Sequence, residues 1–447
     1  MISSRRADIE KGAILMSEFF SDSALWTVIL FFIPLLLGVP IAISLGMTAI
    51  VVAIGWDMGY QMLSYSYFSG IAKFPLLAIP FFVMAGVIME KVGIAERLIA
   101  LIKQLVGDMP GGLAVATVLV AAFWGAVSGS GPATVAALGL ILIPGMVDAG
   151  YDKPFATAVV SVAAGLAIII PPSICFIVYG DIMEQSIGTL FAAGVFPGLV
   201  VAGCLCVLVY LVSVKRGYRG APRGASREVW KAFVDALWGL ITPVIILGGV
   251  YGGIFTPTEA AAVAVFYGLF VGMVVYRTMS WKMFYDILVD TVVSTAVVML
   301  VVTCAGLYGW IGATIGLIDK IAAVLLSVSD SPVIILLMIN VILLFAGMLL
   351  DAISICYIFL PILMPIIAHF QWDPIWFGVM MTVNLAIGQV TPPVAVNLYV
   401  GARISNLSIE DIVPDVLPQL FAALIALLLI TLFPSITTAL PHWMGML

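Results

Sequence analysis

The chain has 447 residues, of which 63% are hydrophobic and 9% are charged. A soluble domain carries about 25% charged residues, so this composition excludes a soluble enzyme, and no stretch is polar enough for a separate soluble domain. The formal net charge of -6 indicates little about partners, because the few charges lie between apolar runs. Most of these runs are long enough for a membrane-spanning helix, and the chain has room for roughly 10–14 crossings or half-crossings. The sequence therefore predicts an all-α polytopic membrane protein embedded in a lipid bilayer.

The N-terminal part of the chain predicts helices across and along the membrane. Residues 1–23 are polar and lack an apolar region followed by a cleavage site, so we expect no signal peptide. The apolar run 24–54, interrupted by two prolines, predicts one tilted span and part of another, and 74–89 predicts a further span. Residues 94–106 place apolar side chains at helical spacing opposite a charged face, which indicates a helix lying in the membrane interface.

Two stretches of the first half cannot continue a helix undisturbed. Residues 128–132 read SGSGP and residues 170–173 read IPPS; proline removes a hydrogen-bond donor and glycine weakens a helix. Backbone freed at membrane depth must be buried in protein or line a wet cavity, which is how many transporters form their sites. Glycine and proline are common in membrane helices, and that plainer interpretation suits a single isolated break. Two breaks that recur later in the chain favour a re-entrant hairpin followed by a discontinuous helix.

A basic loop divides the chain. Residues 215–231 hold six of the 18 basic residues against one acid, Glu228. By the positive-inside rule this loop is cytoplasmic. A nucleic-acid or lipid patch is the alternative, but membrane topology explains the charges, and we expect no nucleic-acid partner.

After the loop the pattern begins again. When the two halves are aligned, residues 128–132 match residues 349–353 (LLDAI), and residues 168–173 (IIIPPS) match residues 389–394 (QVTPPV). These and further pairs keep their order at an offset of about 212–223 residues, which is the pattern of an internal repeat. Matched interruptions in two halves point to a transport site near the middle of the membrane.

The four interruptions predict a site made of oxygen ligands. Free carbonyl groups and hydroxyl groups suit a hard monovalent cation, and the N-termini of helices that begin after a break suit a carboxylate substrate. Asp351 is the one acid in a long apolar stretch, and such a carboxylate is functional by default, with a cation as its partner. The alternative is a cap on the following helix, and both roles hold if the second oxygen faces the ion. The hydroxyl groups at the interruptions belong to Ser128, Ser130, Ser173 and Thr391.

Few other polar residues lie in the apolar runs. Asn397 can reach a polar substrate, and Arg403 can pair with a carboxylate or only extend its charge to the interface. The two histidines have no spaced acidic or cysteine partners, so we expect no metal other than sodium and no catalytic set. The five cysteines lie inside apolar runs, where we expect small buried residues without a disulfide framework.

Four motifs together resemble the large membrane subunit (M subunit) of TRAP (tripartite ATP-independent periplasmic) transporters. They are GAVSGSGPATVAALG, YDKPFATAVV, IIIPPS and FTPTEAAA, and the resemblance extends from about residue 24 to 435. It implies two inverted structural repeats, each with a re-entrant helical hairpin and a discontinuous helix, in the elevator-type architecture of the ion transporter superfamily. It also implies the bacterial inner membrane, a small four-helix membrane subunit (Q subunit) and a periplasmic substrate-binding protein (P subunit).

The resemblance further implies how each repeat divides into parts. Between an N-terminal tail (1–23) and a C-terminal tail (436–447), the first repeat (24–214) and the second (236–435) flank the basic cytoplasmic loop (215–235). The scaffold helices would be 24–90 and 236–313, and the arm helices 94–107 and 316–328. The hairpin and broken helix of the transport domain would be 111–185 and 332–403, each followed by a span at 190–214 or 416–435.

Site residues follow from the resemblance, position by position. The first sodium site would consist of Ser128, Ser130, Ala167, Ile170 and Pro172, largely through backbone carbonyl groups. The repeat implies a second sodium site at Asp351, Gly388, Thr391 and Pro393. The substrate would bind to Ser130, Thr134, Ser173, Asn397 and Arg403. Ala167 stands where the other copy has Gly388, a departure that matters only if the loop needs a positive φ there.

We therefore expect sodium-coupled import of a small organic acid, such as sialic acid or a C4-dicarboxylate, by an elevator movement. Sodium ions would be the coupling ions, with no other cofactor, and the chain would need the small membrane subunit as a separate protein. The rival is a stand-alone dicarboxylate or ion carrier of the same superfamily that needs no binding protein. An intramembrane enzyme would need a polar catalytic set, which the apolar runs lack.

Overall fold

All regular structure in the described part of the chain is helical. The computed structural model describes residues 22–106, 109–219 and 226–447. In these ranges nine helices are long and apolar enough to cross a membrane by length and composition, which confirms an all-α polytopic membrane protein. Most of the predicted N-terminal tail (1–21) and part of the basic loop (220–225) lie outside the described residues.

The described residues of the first copy of the repeat form ten α-helices. In chain order they are α1 (Ser23–Leu36), α2 (Ile41–Gly55), α3 (Tyr60–Ser69), α4 (Ala78–Lys91), α5 (Ile94–Val106), α6 (Gly112–Ser128), α7 (Gly131–Asp148), α8 (Lys153–Ala163), α9 (Ile174–Ile182) and α10 (Ile187–Arg216). A 3₁₀ segment, Phe74–Leu77, precedes α4, and another, Ala164–Ile168, follows α8. The predicted hairpin is α6 and α7, and the predicted discontinuous helix is α8 and α9.

The second copy forms ten more α-helices in the described residues. They are α11 (Ser226–Tyr251), α12 (Pro257–Phe270), α13 (Trp281–Thr314), α14 (Leu317–Val328), α15 (Pro332–Leu349), α16 (Ala352–His369), α17 (Pro374–Gly388), α18 (Val396–Ser405), α19 (Ile409–Leu432) and α20 (Ser435–Trp443). A π-helical segment, Val271–Val275, continues α12. The short helix, hairpin, broken helix and long span of α5–α10 recur in the same order as α14–α19.

The long helices extend further than the sequence predicts. α10 continues to Arg216 and α11 begins at Ser226, so Arg227 and Lys231 lie on the first turns of a helix rather than in the loop. α19 begins at Ile409 instead of 416, because Ser408 and the third residue of the helix form a capping box. The predicted C-terminal tail contains α20.

One compact unit consists of the described part of residues 1–73 together with 297–335 and 357–370. Buried apolar side chains of α2 and α13 form its core: Ala49, Val52, Ala53, Leu307 and Ile311. At its surface Lys320 lies 3.0 Å from Asp22, and this hydrogen bond lowers the pKa of the Asp22 carboxyl. Because both side chains are largely exposed, the pair contributes little to stability.

The second unit consists of residues 74–296, 336–356 and 371–447 and contains every predicted site residue. Small residues allow its helices to pack closely. A Cβ added to Gly239 of α11 would lie 2.5 Å from a side-chain carbon of Ile94 on α5, so α5 packs its apolar face against α11. Leu98 on that face is fully buried, whereas Glu96 is exposed, in agreement with the predicted amphipathic helix.

Candidate cation and substrate site

The first hairpin turns at a glycine in the left-handed conformation. α6 ends at Ser128, Gly129 has φ 62°, and Ser130 is extended before α7 begins. The Ser128 hydroxyl donates to the Ser130 carbonyl at 3.3 Å and accepts from the Thr134 hydroxyl at the same distance. A Cβ on Gly129 would lie 3.2 Å from the Pro172 carbonyl oxygen, so the hairpin tip rests on the Pro-Pro break.

The Pro-Pro break exposes backbone carbonyl groups. In an α-helix the carbonyls of residues 167 and 168 would accept from residues 171 and 172, which are prolines without an N–H. The Ile168 carbonyl instead accepts the Ser173 hydroxyl at 2.6 Å, and the same Ser173 oxygen caps the N–H of Phe176 at 3.5 Å. The Ala167 carbonyl is thus deprived of its α-helical donor beside the hairpin tip, and its role as a sodium ligand stays a prediction.

The second copy has a matching Pro-Pro break, in which backbone N–H groups replace the missing helical donors. The carbonyls of Gly388 and Gln389 face prolines at 392 and 393, and they accept instead from the N–H of Thr391 at 3.0 Å and of Asn397 at 3.1 Å. The Thr391 hydroxyl donates to the Ile387 carbonyl at 2.7 Å. Both Pro-Pro bonds, 171–172 and 392–393, are cis.

In each copy the first hairpin helix crosses the broken helix at a glycine. A Cβ on Gly125 would lie 2.6 Å from Cα of Ala167, and a Cβ on Gly347 would lie 2.9 Å from Cα of Gly388. Neither Ala167 nor Gly388 has a positive φ. The backbone conformation at this position therefore permits either residue, and what differs is the space at the crossing. In the first copy glycine is needed on the hairpin helix, whereas in the second copy a Cβ on Gly388 would also lie 2.6 Å from Cα of Gly347, so that crossing needs glycine on both helices.

Asp351 caps α16. One carboxylate oxygen accepts the backbone N–H groups of Ile353 and Ser354 at 3.0 and 3.1 Å, and the other accepts the Ser354 hydroxyl. The capping interpretation of Asp351 is thereby confirmed. A carboxylate has about four lone-pair positions, so one more ligand can still be accommodated; the role of Asp351 in ion binding stays a prediction.

Four of the five predicted substrate residues lie around the first hairpin tip. Ser130, Thr134 and Ser173 lie there through the contacts described above. Asn397 is fully buried, its side-chain Oδ1 lies 2.8 Å from the position of a Cβ on Gly131, and its amide nitrogen lies 3.5 Å from the Ser161 carbonyl. Arg403 is exposed, on the same helix as Asn397, and its substrate role stays a prediction.

Sequence reasoning missed two further polar residues at this place. Gln389 is 5% exposed, and its Oε1 lies 2.7 Å from the position of a Cβ on Gly131. Gln389 Oε1, Asn397 Oδ1 and the hydroxyl of Ser161 are buried without a hydrogen-bond partner in the described part of the chain. The signal was a glutamine within the matched QVTPPV motif and a serine in the mostly apolar helix α8. Gln389 Oε1 and Asn397 Oδ1 are neutral acceptors beside the N-terminus of α7, and the Ser161 hydroxyl lies against Gly401 of α18.

A helical membrane protein that brings two pairs of helix interruptions together in one unit has the architecture of a secondary transporter. Comparison with known proteins defines it more narrowly. The chain belongs to the family described as "Tripartite ATP-independent periplasmic transporter, DctM component", whose model matches residues 28–436. It is therefore a TRAP transporter large permease and a multi-pass protein of the inner membrane.

Relatives of this family are similar to the chain over most of its length. It is 44% identical over 405 residues to the isethionate TRAP transporter permease protein DctMQ of Oleidesulfovibrio alaskensis, covering 90% of this chain and 64% of that relative. It is 36% identical over 427 residues to the C4-dicarboxylate TRAP transporter large permease protein DctM of Rhodobacter capsulatus, covering 92% and 97%. It is 38% identical over 406 residues to the sialic acid TRAP transporter large permease protein SiaM of Vibrio cholerae, covering 91% and 95%.

A solved structure supports the fold. The crystal structure of the YdaH transporter of Alcanivorax borkumensis matches with a TM-score of 0.61 at 17% sequence identity, covering 92% of this chain and 98% of that one. At this identity the likeness concerns the fold alone.

Proposed function

We propose that the protein imports a small organic acid, driven by sodium, as the transport subunit of a tripartite system. The observation that supports this most directly is the pair of matched sites in one unit, each with a hairpin tip beside a Pro-Pro break. The prolines leave carbonyl groups without helical donors, and neutral oxygens with one nearby carboxylate suit a hard monovalent cation. The first sodium ion would bind at Ser128, Ser130, Ala167, Ile170 and Pro172, and the second at Asp351, Gly388, Thr391 and Pro393.

The substrate class follows from the same tips. α7 and α9 begin at the breaks and direct partial positive charge toward them, which favours a carboxylate or another anionic group. The relatives named above carry isethionate, C4-dicarboxylate and sialic acid in their names, and all three are small organic anions. We propose that such an anion contacts Ser130, Thr134, Ser173 and Asn397, with Arg403 as an outer contact.

The mechanism we propose is an elevator movement. Sodium ions at both sites would bring the hairpin tips together, complete the substrate site and offset the carboxylate of Asp351 and the charge of the substrate. The loaded domain could then cross the bilayer with fewer uncompensated charges, which are costly in hydrocarbon. A small four-helix membrane subunit would enlarge the static part, and a periplasmic binding protein would deliver the substrate.

Uptake into proteoliposomes tests this proposal. The chain is reconstituted with its small membrane partner and offered candidate organic acids, with and without an inward sodium gradient and the cognate periplasmic protein. We expect uptake only when the sodium gradient and the periplasmic protein are both present. Uptake with sodium alone would favour the rival stand-alone carrier, and uptake without sodium would contradict the coupling.

A further inference from the structure

Two cysteines from different copies of the repeat lie in contact. Cys175 belongs to α9 and Cys356 to α16, and their sulfur atoms are 3.7 Å apart. The exposed fractions of these residues are 2% and 1%. The sulfur of Cys175 also lies 3.5 Å from the Thr382 hydroxyl. These two residues are separated by 181 positions in the sequence, so only the fold brings them together.

The sulfur separation is short enough for a covalent bond to form after a small movement. A disulfide bond is about 2.05 Å long, so the two sulfur atoms need to approach by less than about 2 Å. The remaining cysteines, Cys204, Cys206 and Cys304, have no described sulfur contact of this kind. Burial also separates this pair from bulky thiols in solution, so each thiol has the other as its nearest reaction partner.

We propose that Cys175 and Cys356 form a redox modification site that closes to a disulfide in the presence of hydrogen peroxide. The peroxide oxidises one thiol to a sulfenic acid and releases one water. The second thiol attacks the sulfenic sulfur, the S–S bond forms, and a second water leaves. The two thiols lose two electrons and two protons in total, and the peroxide is reduced to two waters. A dithiol reductant reverses the reaction by thiol–disulfide exchange.

The disulfide would join the two copies of the repeat next to the proposed sites. Cys175 follows the helix cap Ser173 by two residues, and Cys356 lies on the helix that Asp351 caps. A bond between α9 and α16 fixes the second hairpin against the first broken helix. This consequence depends on the proposed function, in which the hairpin tips must move during transport. We expect oxidation to reduce uptake at least tenfold.

The experiment measures bond formation and transport separately. The full chain, reconstituted with its membrane partner, is treated with hydrogen peroxide, digested, and searched by mass spectrometry for a peptide pair linked through Cys175 and Cys356. Cys175→Ser and Cys356→Ser remove one thiol each, and Cys304→Ser is the matched control that leaves the pair intact. We expect the linked peptides in the wild type and in Cys304→Ser, and not in the other two variants.

Uptake is then measured before and after oxidation. We expect uptake to fall in the wild type and Cys304→Ser, to return with dithiothreitol, and to persist in Cys175→Ser and Cys356→Ser. Sulfinic or sulfonic acids without linked peptides would overturn the site. Linked peptides with undiminished uptake would overturn its effect on transport. If the untreated protein transports none of the acids offered, the proposed function fails, and the linked peptides still decide whether the modification site exists.

Discussion

Asp351 has one observed role, as a helix cap, and one proposed role, as an ion ligand, and one substitution can separate them. Asparagine caps helices about as well as aspartate, and its oxygen can still accept the N–H groups of Ile353 and Ser354, but it has no charge for an ion. We expect Asp351→Asn to remain folded and to need at least tenfold more sodium for half-maximal uptake. Asp351→Ala loses the cap as well, which costs about 1 kcal/mol of stability, and should abolish uptake or sharply weaken its sodium dependence. Titrating uptake with sodium measures the effect on ion binding, and thermal unfolding measures the effect on stability. If Asp351→Asn shows the sodium dependence of the wild type, Asp351 acts only as a helix cap.

The glycines at the helix crossings are a second feature of single residues. A methyl group at Gly347 would approach Cα of Gly388 to 2.9 Å, and backbone cannot move aside as a flexible side chain can. Overpacking of this kind typically costs about 1–3 kcal/mol, so Gly347→Ala should lower the melting temperature and reduce uptake. Gly203 is the matched control, because it lies inside α10 with open space at its Cβ position. Gly203→Ala should leave both measurements unchanged or slightly raise the melting temperature; equal losses in both variants would contradict the packing argument.

At the scale of elements, the sequence predicts well what depends on local chemistry. The breaks at 128–132 and 170–173 follow from proline and glycine alone, and both are present as the hairpin tip and the Pro-Pro break. The internal repeat predicted that Asp351 occupies the position in the second copy that corresponds to the first hairpin tip. The cluster of Gln389 and Asn397 beside Gly131 could not be predicted, because it depends on how helices distant in sequence pack together. The same holds for Cys175 and Cys356.

The C-terminal end of α10 forms ion pairs with two other parts of the chain. The basic composition of the loop did not predict these contacts. Arg216 forms ion pairs with Asp415 of α19 and, at 3.5 Å, with Asp152 before α8. The Tyr218 hydroxyl also donates to Asp152. Burial raises the pKa of Tyr218, so the phenol remains a donor at neutral pH.

Loss of Arg216 should therefore weaken the packing of three elements at once. The Asp415 side chain is only 10% exposed, and Arg216→Gln would leave its charge without this partner, at a cost of about 1.5–3 kcal/mol. Lys91 is the matched control, because its pair with Asp290 at 3.1 Å is between two partly exposed side chains and should contribute less than about 1 kcal/mol. Thermal unfolding of Arg216→Gln and Lys91→Gln checks the difference. Adding Asp415→Asn to Arg216→Gln should recover part of the loss; no recovery would mean that the buried charge is not the cause.

At the scale of the molecule, duplication explains why the site is divided. One copy supplies a hairpin tip and a Pro-Pro break without an acid at the tip, and the other supplies the same arrangement with Asp351. Asn397 of the second copy reaches Gly131 of the first. Neither copy alone contains the whole set of proposed ligands, so the proposed coupling between sodium and substrate is a property of the complete chain.

The last prediction concerns the charge that the whole molecule moves. If two sodium ions accompany one singly charged acid, each cycle carries one net positive charge inward, and the membrane potential contributes about 2.3 kcal/mol per charge per 100 mV. Steady-state accumulation should then rise roughly fiftyfold when an inside-negative potential of 100 mV is imposed. A potassium gradient with valinomycin sets this potential in proteoliposomes, and vesicles with equal potassium on both sides are the control. Accumulation that does not respond to the potential would show an electroneutral cycle, in which the number of sodium ions equals the negative charge of the substrate, and would contradict a net inward charge.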